Sequence, residues 1–155
     1  MDKEITFELN WQGEDAESFL SGKYSRVHEW QFDGGARVAA SSSPHVVPLP
    51  MSDASCVDPE EAFVASLSSC HMLWFLAIAA KHGFVVLQYQ DACGGKMGRD
   101  ENNKLIVTRV LLRPQVDWCP DHTPSQEEIE QLHERAHQEC FIANSVKTEV
   151  VVESR

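Results

Sequence analysis

Asp58-Pro59-Glu60-Glu61-Ala62-Phe63-Val64-Ala65-Ser66-Leu67-Ser68-Ser69-Cys70 opens a run that stays apolar to Ala80 and stops at Gly83. Its first residues suit a helix N-terminus. Asp58 caps, Pro59 has the backbone angle of a first helical position, and the two glutamates lie at the positive end of the helix dipole. Gly83 is the matching stop signal. The spacing predicts a helix running to about His82, apolar on nearly every side. Such a helix belongs at the centre of a domain, covered all round by sheet and partner surfaces. Residues 62–80 also carry Ser66, Ser68, Ser69, Cys70 and His71, so the run reads as a buried helix of a soluble protein and not as a membrane span.

Upstream of this helix, residues 5–11 alternate apolar and polar side chains, with Ile5, Phe7, Leu9 and Trp11 on one face, as in a strand with one wet side. Residues 14–24 read as a loop. Residues 27–32 and 36–40 flank Asp33-Gly34-Gly35, a hairpin signal. The connection over residues 41–57 holds Pro44, Pro48 and Pro50 and reads as long and irregular, which in a compact domain usually marks function. Downstream, residues 84–93 and 105–116 carry strand patterns, with Gly94-Gly95 and Asp100-Glu101-Asn102-Asn103 as turns. After a loop through Pro120 and Pro124, Ser125 and Glu128 stand at capping-box spacing at the head of a second helix. Ile129, Leu132, Ala136 and Cys140 form its inward stripe. Residues 146–152 close the pattern as a strand. The sum is a single α+β domain over residues 1–155.

Composition agrees. The 155 residues are 43% hydrophobic and 24% charged, with a net charge of -11 spread along the chain. That acidity disfavours nucleic acid and anionic membranes, both of which require a basic surface. Residues 1–10 lack the basic, apolar and cleavable segments of a signal peptide. The expectation is a cytoplasmic protein, whose five cysteines are reactive or inert thiols and not a disulfide framework.

Cys70 lies in the middle of the central helix. Burial raises a thiol's pKa, and the helix N-terminus is too distant to lower it. By position alone Cys70 reads as an inert core thiol, reactive only if the fold brings it a cation. Cys140 faces inward from the second helix, so the two sulfurs meet if the helices pack there. Two buried cysteines on two helices suit a redox pair better than two structural residues, given a disulfide-compatible separation. Cys56, Cys93 and Cys119 read as unspecialised thiols, Cys56 standing out only because its loop precedes the central helix.

These residues resemble the OsmC/Ohr family (osmotically inducible protein C and organic hydroperoxide resistance protein). Residues 58–70 match the family's Pro-Glu-Glu helix start with a cysteine ten positions after the glutamate. Cys140-Phe141-Ile142-Ala143-Asn144-Ser145 matches its second cysteine, short turn and final strand. Phe141 departs from the proline of many members, and the insertion before Asp58 is long. The resemblance implies antiparallel sheets around a long buried helix, a second amphipathic helix, and an intertwined homodimer. It also implies reduction of organic hydroperoxides, with Cys70 attacking, Cys140 resolving and an external dithiol, of lipoyl type, restoring both thiols. No cofactor or metal is implied. Glu60 matches the glutamate that orients an arginine. Arg26 is the first choice for that arginine and Arg37, after the Asp33-Gly34-Gly35 turn, the second. Glu60 and Cys70 are ten residues apart, about 15 Å of helical rise, so Glu60 is expected to serve the other protomer's site.

Two rival classes remain in view. A binding or stress-response module on the same fold leaves its thiols unused. A zinc hydrolase would use His133-Glu134-Arg135-Ala136-His137, an H-E-x-x-H match whose imidazoles share a helix face. That helix is otherwise polar, which favours a solvated face with two histidines near its buried edge. His71, about 100° round the helix from Cys70, cannot easily activate it as a Cys-His pair and reads as a packed residue or pocket wall. Trp74 and Phe75 read as core, or as the wall of an apolar pocket.

Overall fold

A computed structural model of the chain describes residues 4–154. They form two compact units that divide between Ala62 and Phe63.

The first unit carries β1 (Phe7–Asn10), α1 (Ala16–Leu20), β2 (His28–Phe32) and β3 (Arg37–Ala40). The strands make an antiparallel sheet in the order β1-β2-β3, with Leu9 opposite Trp30 and Trp30 opposite Val38. Gly35 turns the β2–β3 hairpin with a φ of 89°, a conformation that costs glycine little. Helix α1 replaces the loop expected over residues 14–24. Asp15 caps it by accepting the Ser18 amide and hydroxyl, both at 2.8 Å, and at five residues it is too short for apolar periodicity to reveal. The proline-containing connection does not wander. The Ser41 amide donates to the Val57 carbonyl and the Val57 amide to Ala39, both at 3.0 Å, and Ser41 Oγ accepts the Asp53 amide at 3.1 Å.

Helix α2 (Pro59–Lys81) opens as its sequence predicts. The Glu61 amide donates to Asp58 Oδ1 at 2.8 Å and the Asp58 amide to Glu61 Oε2 at 3.2 Å, a reciprocal cap. Gly83, with φ 82°, ends it, and the Phe84 amide reaches back to the Ala79 carbonyl at 3.0 Å.

The second unit holds β4 (Val86–Asp91), β5 (Gly94–Arg99), β6 (Leu105–Leu112), β7 (Pro114–Trp118), α3 (Gln126–Glu139) and β8 (Glu149–Val152). β4 pairs antiparallel with β7, and β5 with β6. The sheets are antiparallel as expected, with one parallel pair at an edge, where β8 lies beside β6 and Val110 is opposite Val150. Parallel partners need a long crossover, and the segment from β7 through α3 supplies it. The strand expected over residues 105–116 is two strands. The break comes where the Arg113 amide turns to Asp91 Oδ1 at 2.7 Å and Pro114 has no amide hydrogen to give.

Two apolar clusters fill this unit. Phe75, Ile78 and Ala79 of α2 pack on Leu132 and Ala136 of α3, and Leu67 packs on Val110 and Leu112 of β6. Four-residue steps along α2 put Leu67, His71, Phe75 and Ala79 on this buried side, while Leu73 stays 62% exposed. α2 is long and apolar enough to cross a membrane, with a mean hydropathy of 1.7, yet these contacts seat it against sheet and helix.

Gly94 and Gly95 lie inside β5, not in a turn. A Cβ on Gly95 would stand 2.8 Å from Val64 Cγ2. A helical valine has essentially one χ1 setting, so Val64 cannot swing aside. Gly95→Ala is therefore expected to cost about 1–2 kcal/mol through overpacking, read as a lower urea midpoint with unchanged slope. An unchanged or raised midpoint contradicts this close approach.

Candidate active site

Cys140 is one residue past the last helical position of α3, not on the helix itself. Its backbone is extended (φ −67°, ψ 109°), yet the side chain is 1% exposed, so the inward stripe continues through the cap. A 3-10 turn, Ala143–Ser145, follows and holds it. The Asn144 amide donates to the Cys140 carbonyl at 3.0 Å, and the Ala143 amide points at Cys140 Sγ at 3.4 Å. Phe141 is 66% exposed and meets Trp74 edge-on at 5.5 Å.

The Cys140 sulfur lies against that of Cys70, which is half-buried on α2. Burial pushes the Cys140 thiol up to about 11, and the neighbouring Cys70 thiol adds to the shift. Cys140 therefore keeps its proton at neutral pH. By contrast Cys56 is pushed up by burial and by Asp53, without a thiol partner, so it is a poor nucleophile.

Arg26 and Glu60 both line a cavity of about 400 Å3 in the first unit. Leu9, Trp11, Phe19, Tyr24 and Pro59 give it an apolar wall, and Ser41, Ser42 and His28 complete it. The rings of Trp11, Phe19 and Tyr24 pack with centroids 4.9 to 6.0 Å apart. The Arg26 guanidinium lies over the Tyr24 ring, 3.6 Å from its centroid. Its Nη1 donates to the carbonyls of Gly22 and Tyr24. Among the described residues no carboxylate, Glu60 included, forms an ion pair with Arg26, although both residues line this cavity. Arg37 instead pairs with Glu29 at 3.1 Å, with both side chains exposed to solvent.

The sequence reading missed a pair of histidines. His71 Nε2 and His133 Nδ1 meet at 3.0 Å, with the residues 1% and 5% exposed. The rings are parallel within 6°, and Phe75 stacks on His133 at 4.3 Å. Burial holds both imidazoles down at about 4; the charge of His137 pushes His71 further down and Asp91 partly offsets it. The signal was available in the four-residue steps from Leu67 to His71 to Phe75 on α2. His133 thus lies inside the core, on the buried side of an otherwise polar helix. Its Nδ1 is taken by His71, and no group of three or more His, Cys, Asp or Glu among the described residues could hold a metal ion. Asp91 was also missed. It accepts the Ser68 hydroxyl at 2.5 Å and joins β4 to the middle of α2.

Comparisons with known proteins agree with this architecture. The family model for OsmC-like protein matches residues 52–155. An OsmC-like protein of unknown function from Vibrio cholerae O1 biovar eltor is 50% identical, with a TM-score of 0.96 over 99% of this chain and 100% of that one. An organic hydroperoxide resistance protein from Elizabethkingia anophelis is 17% identical, with a TM-score of 0.68 over 99% and 96% of the two chains. That of Bacillus subtilis is 14% identical, with a TM-score of 0.63 over 97% and 98%. Among curated proteins no sequence matches. The family match over most of the chain, and the half-identical Vibrio structure, place this protein in the OsmC-like family.

Proposed function

We propose that this protein is a thiol peroxidase that reduces organic hydroperoxides, with Cys70 as the attacking sulfur and Cys140 as its disulfide partner. The observation that carries the reading is the contact between Cys70 and a buried, proton-retaining Cys140. Attack by the Cys70 thiolate on the distal peroxide oxygen breaks the O–O bond. It leaves Cys70–SOH and, after taking a proton, the alcohol. The Cys140 sulfur then displaces the hydroxyl, giving the Cys70–Cys140 disulfide and water. An external dithiol of lipoyl type takes up the disulfide and returns both thiols. All redox equivalents pass through sulfur, so the cycle needs no cofactor.

The cavity around Arg26 supports an apolar alkyl or aryl hydroperoxide over hydrogen peroxide, because its wall is largely apolar. Arg26 is the cation assigned to activation of the thiolate, and Glu60 its orienting partner. Since Glu60 and Cys70 stand about 15 Å apart along one helix, we assign Arg26 and Glu60 of one protomer to the Cys70 of the other in a homodimer. The exposed Leu73 on α2 suits such a partner. A reducing cytoplasm suits the thiols.

The test is a rapid-mixing titration of reduced protein with cumene hydroperoxide and hydrogen peroxide, counting thiols and mapping the disulfide. Two thiols lost per chain, a Cys70–Cys140 disulfide, and a clear preference for the organic peroxide are expected. Arg26→Met is expected to slow the first step, and Arg37→Met to leave it alone. Thiols that survive every hydroperoxide, together with tight binding of an apolar ligand in the Arg26 cavity, favour the rival binding module.

A further inference from the structure

The proposed chemistry makes no use of the two most buried imidazoles, although one of them is covalently adjacent to it. His71 follows Cys70 on α2, and His133 precedes Cys140 by seven residues on α3, about 10 Å of rise. Around them the two helices meet through Phe75, Ile78 and Ala79 on one side and Leu132 and Ala136 on the other. Those contacts are apolar and non-directional. The His71–His133 hydrogen bond is different. It is directional, dry, and among the described residues the only one between side-chain nitrogen or oxygen atoms of α2 and α3. Neutral imidazole is donor at one nitrogen and acceptor at the other, so whichever tautomers are present one ring donates and the other accepts, with the nitrogens 3.0 Å apart.

Disulfide formation is sensitive to such a separation. The bond needs its Cβ atoms about 3.5–4.5 Å apart and a dihedral near 90°. That window is about an ångström wide, so a slip of that size between α2 and α3 decides whether the bond can form. We infer that His71 and His133 are positioning residues which set the register of α3 on α2, and through it the approach of Cys140 to Cys70. As a role in turnover this rests on the peroxidase reading; as a property of the thiol pair it does not.

Glutathione exchange separates the two. Oxidised glutathione converts the dithiol protein to its disulfide with release of two reduced glutathiones, and the equilibrium constant gives the effective concentration of Cys140 at Cys70. His133→Phe keeps the ring against Phe75 but loses the hydrogen bond. His133→Asn loses ring volume but puts a polar atom where Nδ1 was. His71→Gln likewise replaces Nε2. His133→Phe is expected to lower the effective concentration at least tenfold, about 30 mV for a two-electron couple. His133→Asn and His71→Gln should stay within threefold of the parent. A histidine that only fills space gives the reverse order, Phe tolerated and Asn not, and overturns the inference. So does an unchanged equilibrium in every variant, or a parent protein that forms no Cys70–Cys140 disulfide. Should His133→Phe fail to fold, His71→Met against His71→Gln makes the same comparison on α2. If the variants order as expected but hydroperoxides leave the thiols untouched, the positioning role stands and the peroxidase reading falls.

Discussion

Cys70→Ser protein is expected to consume cumene hydroperoxide no faster than buffer, a loss of at least about a thousandfold, while Cys140→Ser protein completes one turnover and stops. The asymmetry follows from the two environments. Cys140 is 1% exposed and keeps its proton up to about 11, so it cannot take over the attack when Cys70 is gone. When Cys140 is gone, the first step still breaks the O–O bond, but the sulfenic acid finds no second thiol. It is then trapped by dimedone, or oxidised by a second peroxide to the sulfinic acid. Mass spectrometry of the two variants after one and after ten equivalents of peroxide reads this directly. Activity in Cys70→Ser removes the assignment of the nucleophile. Continuous turnover by Cys140→Ser with a dithiol present removes Cys140 from the cycle and leaves a single-thiol enzyme.

Acid should weaken the fold more steeply than its carboxylates alone require. In the unfolded chain an imidazole takes its proton near 6.5, whereas in the folded protein burial defers this to about 4 for both His71 and His133. Between those values the unfolded state binds more protons, so stability falls as pH falls. The contribution is complete above 6.5 and lost below 4. From pH 7 to pH 5 each imidazole accounts for about 2 kcal/mol. The groups bearing on His71 are His137 on α3, which opposes its protonation, and Asp91 on β4, which favours it; His133 is opposed by His71 itself. Urea unfolding at pH 7, 6 and 5 measures the slope, and a His71→Leu/His133→Phe double variant should flatten it by the share of both rings. Equal slopes in parent and double variant would falsify the buried-neutral description.

Much of the fold is legible locally. Asp58 with Glu61, and Ser125 with Glu128, are reciprocal caps whose partners stand three residues apart. Gly83 and Gly35 sit where the backbone turns to positive φ. What escaped the sequence depends on partners distant in the chain. Gly94-Gly95 looks like a turn until β6 lies beside it and Val64 closes over it. The break at Pro114 needs Asp91 to receive the Arg113 amide. Both cysteines of the candidate site were readable, because Cys70 lies on a recognisable helix and Cys140 at the end of another. That Cys140 retains its proton, and that His71 is bonded to His133, follows only from which helices pack, a fact no window of sequence contains.

The packing of α2 against α3 also sets a problem for the growing polypeptide. Phe75, Ile78 and Ala79 leave the ribosome well before Leu132 and Ala136, which bury them. At about 5–20 residues per second the fifty-odd residues between Ala79 and Leu132 take roughly three to ten seconds to make. Val110 and Leu112, on which Leu67 rests, arrive partway through that interval. For those seconds a 23-residue apolar helix is a nascent segment without its cover, the kind of exposed surface on which unfinished chains aggregate.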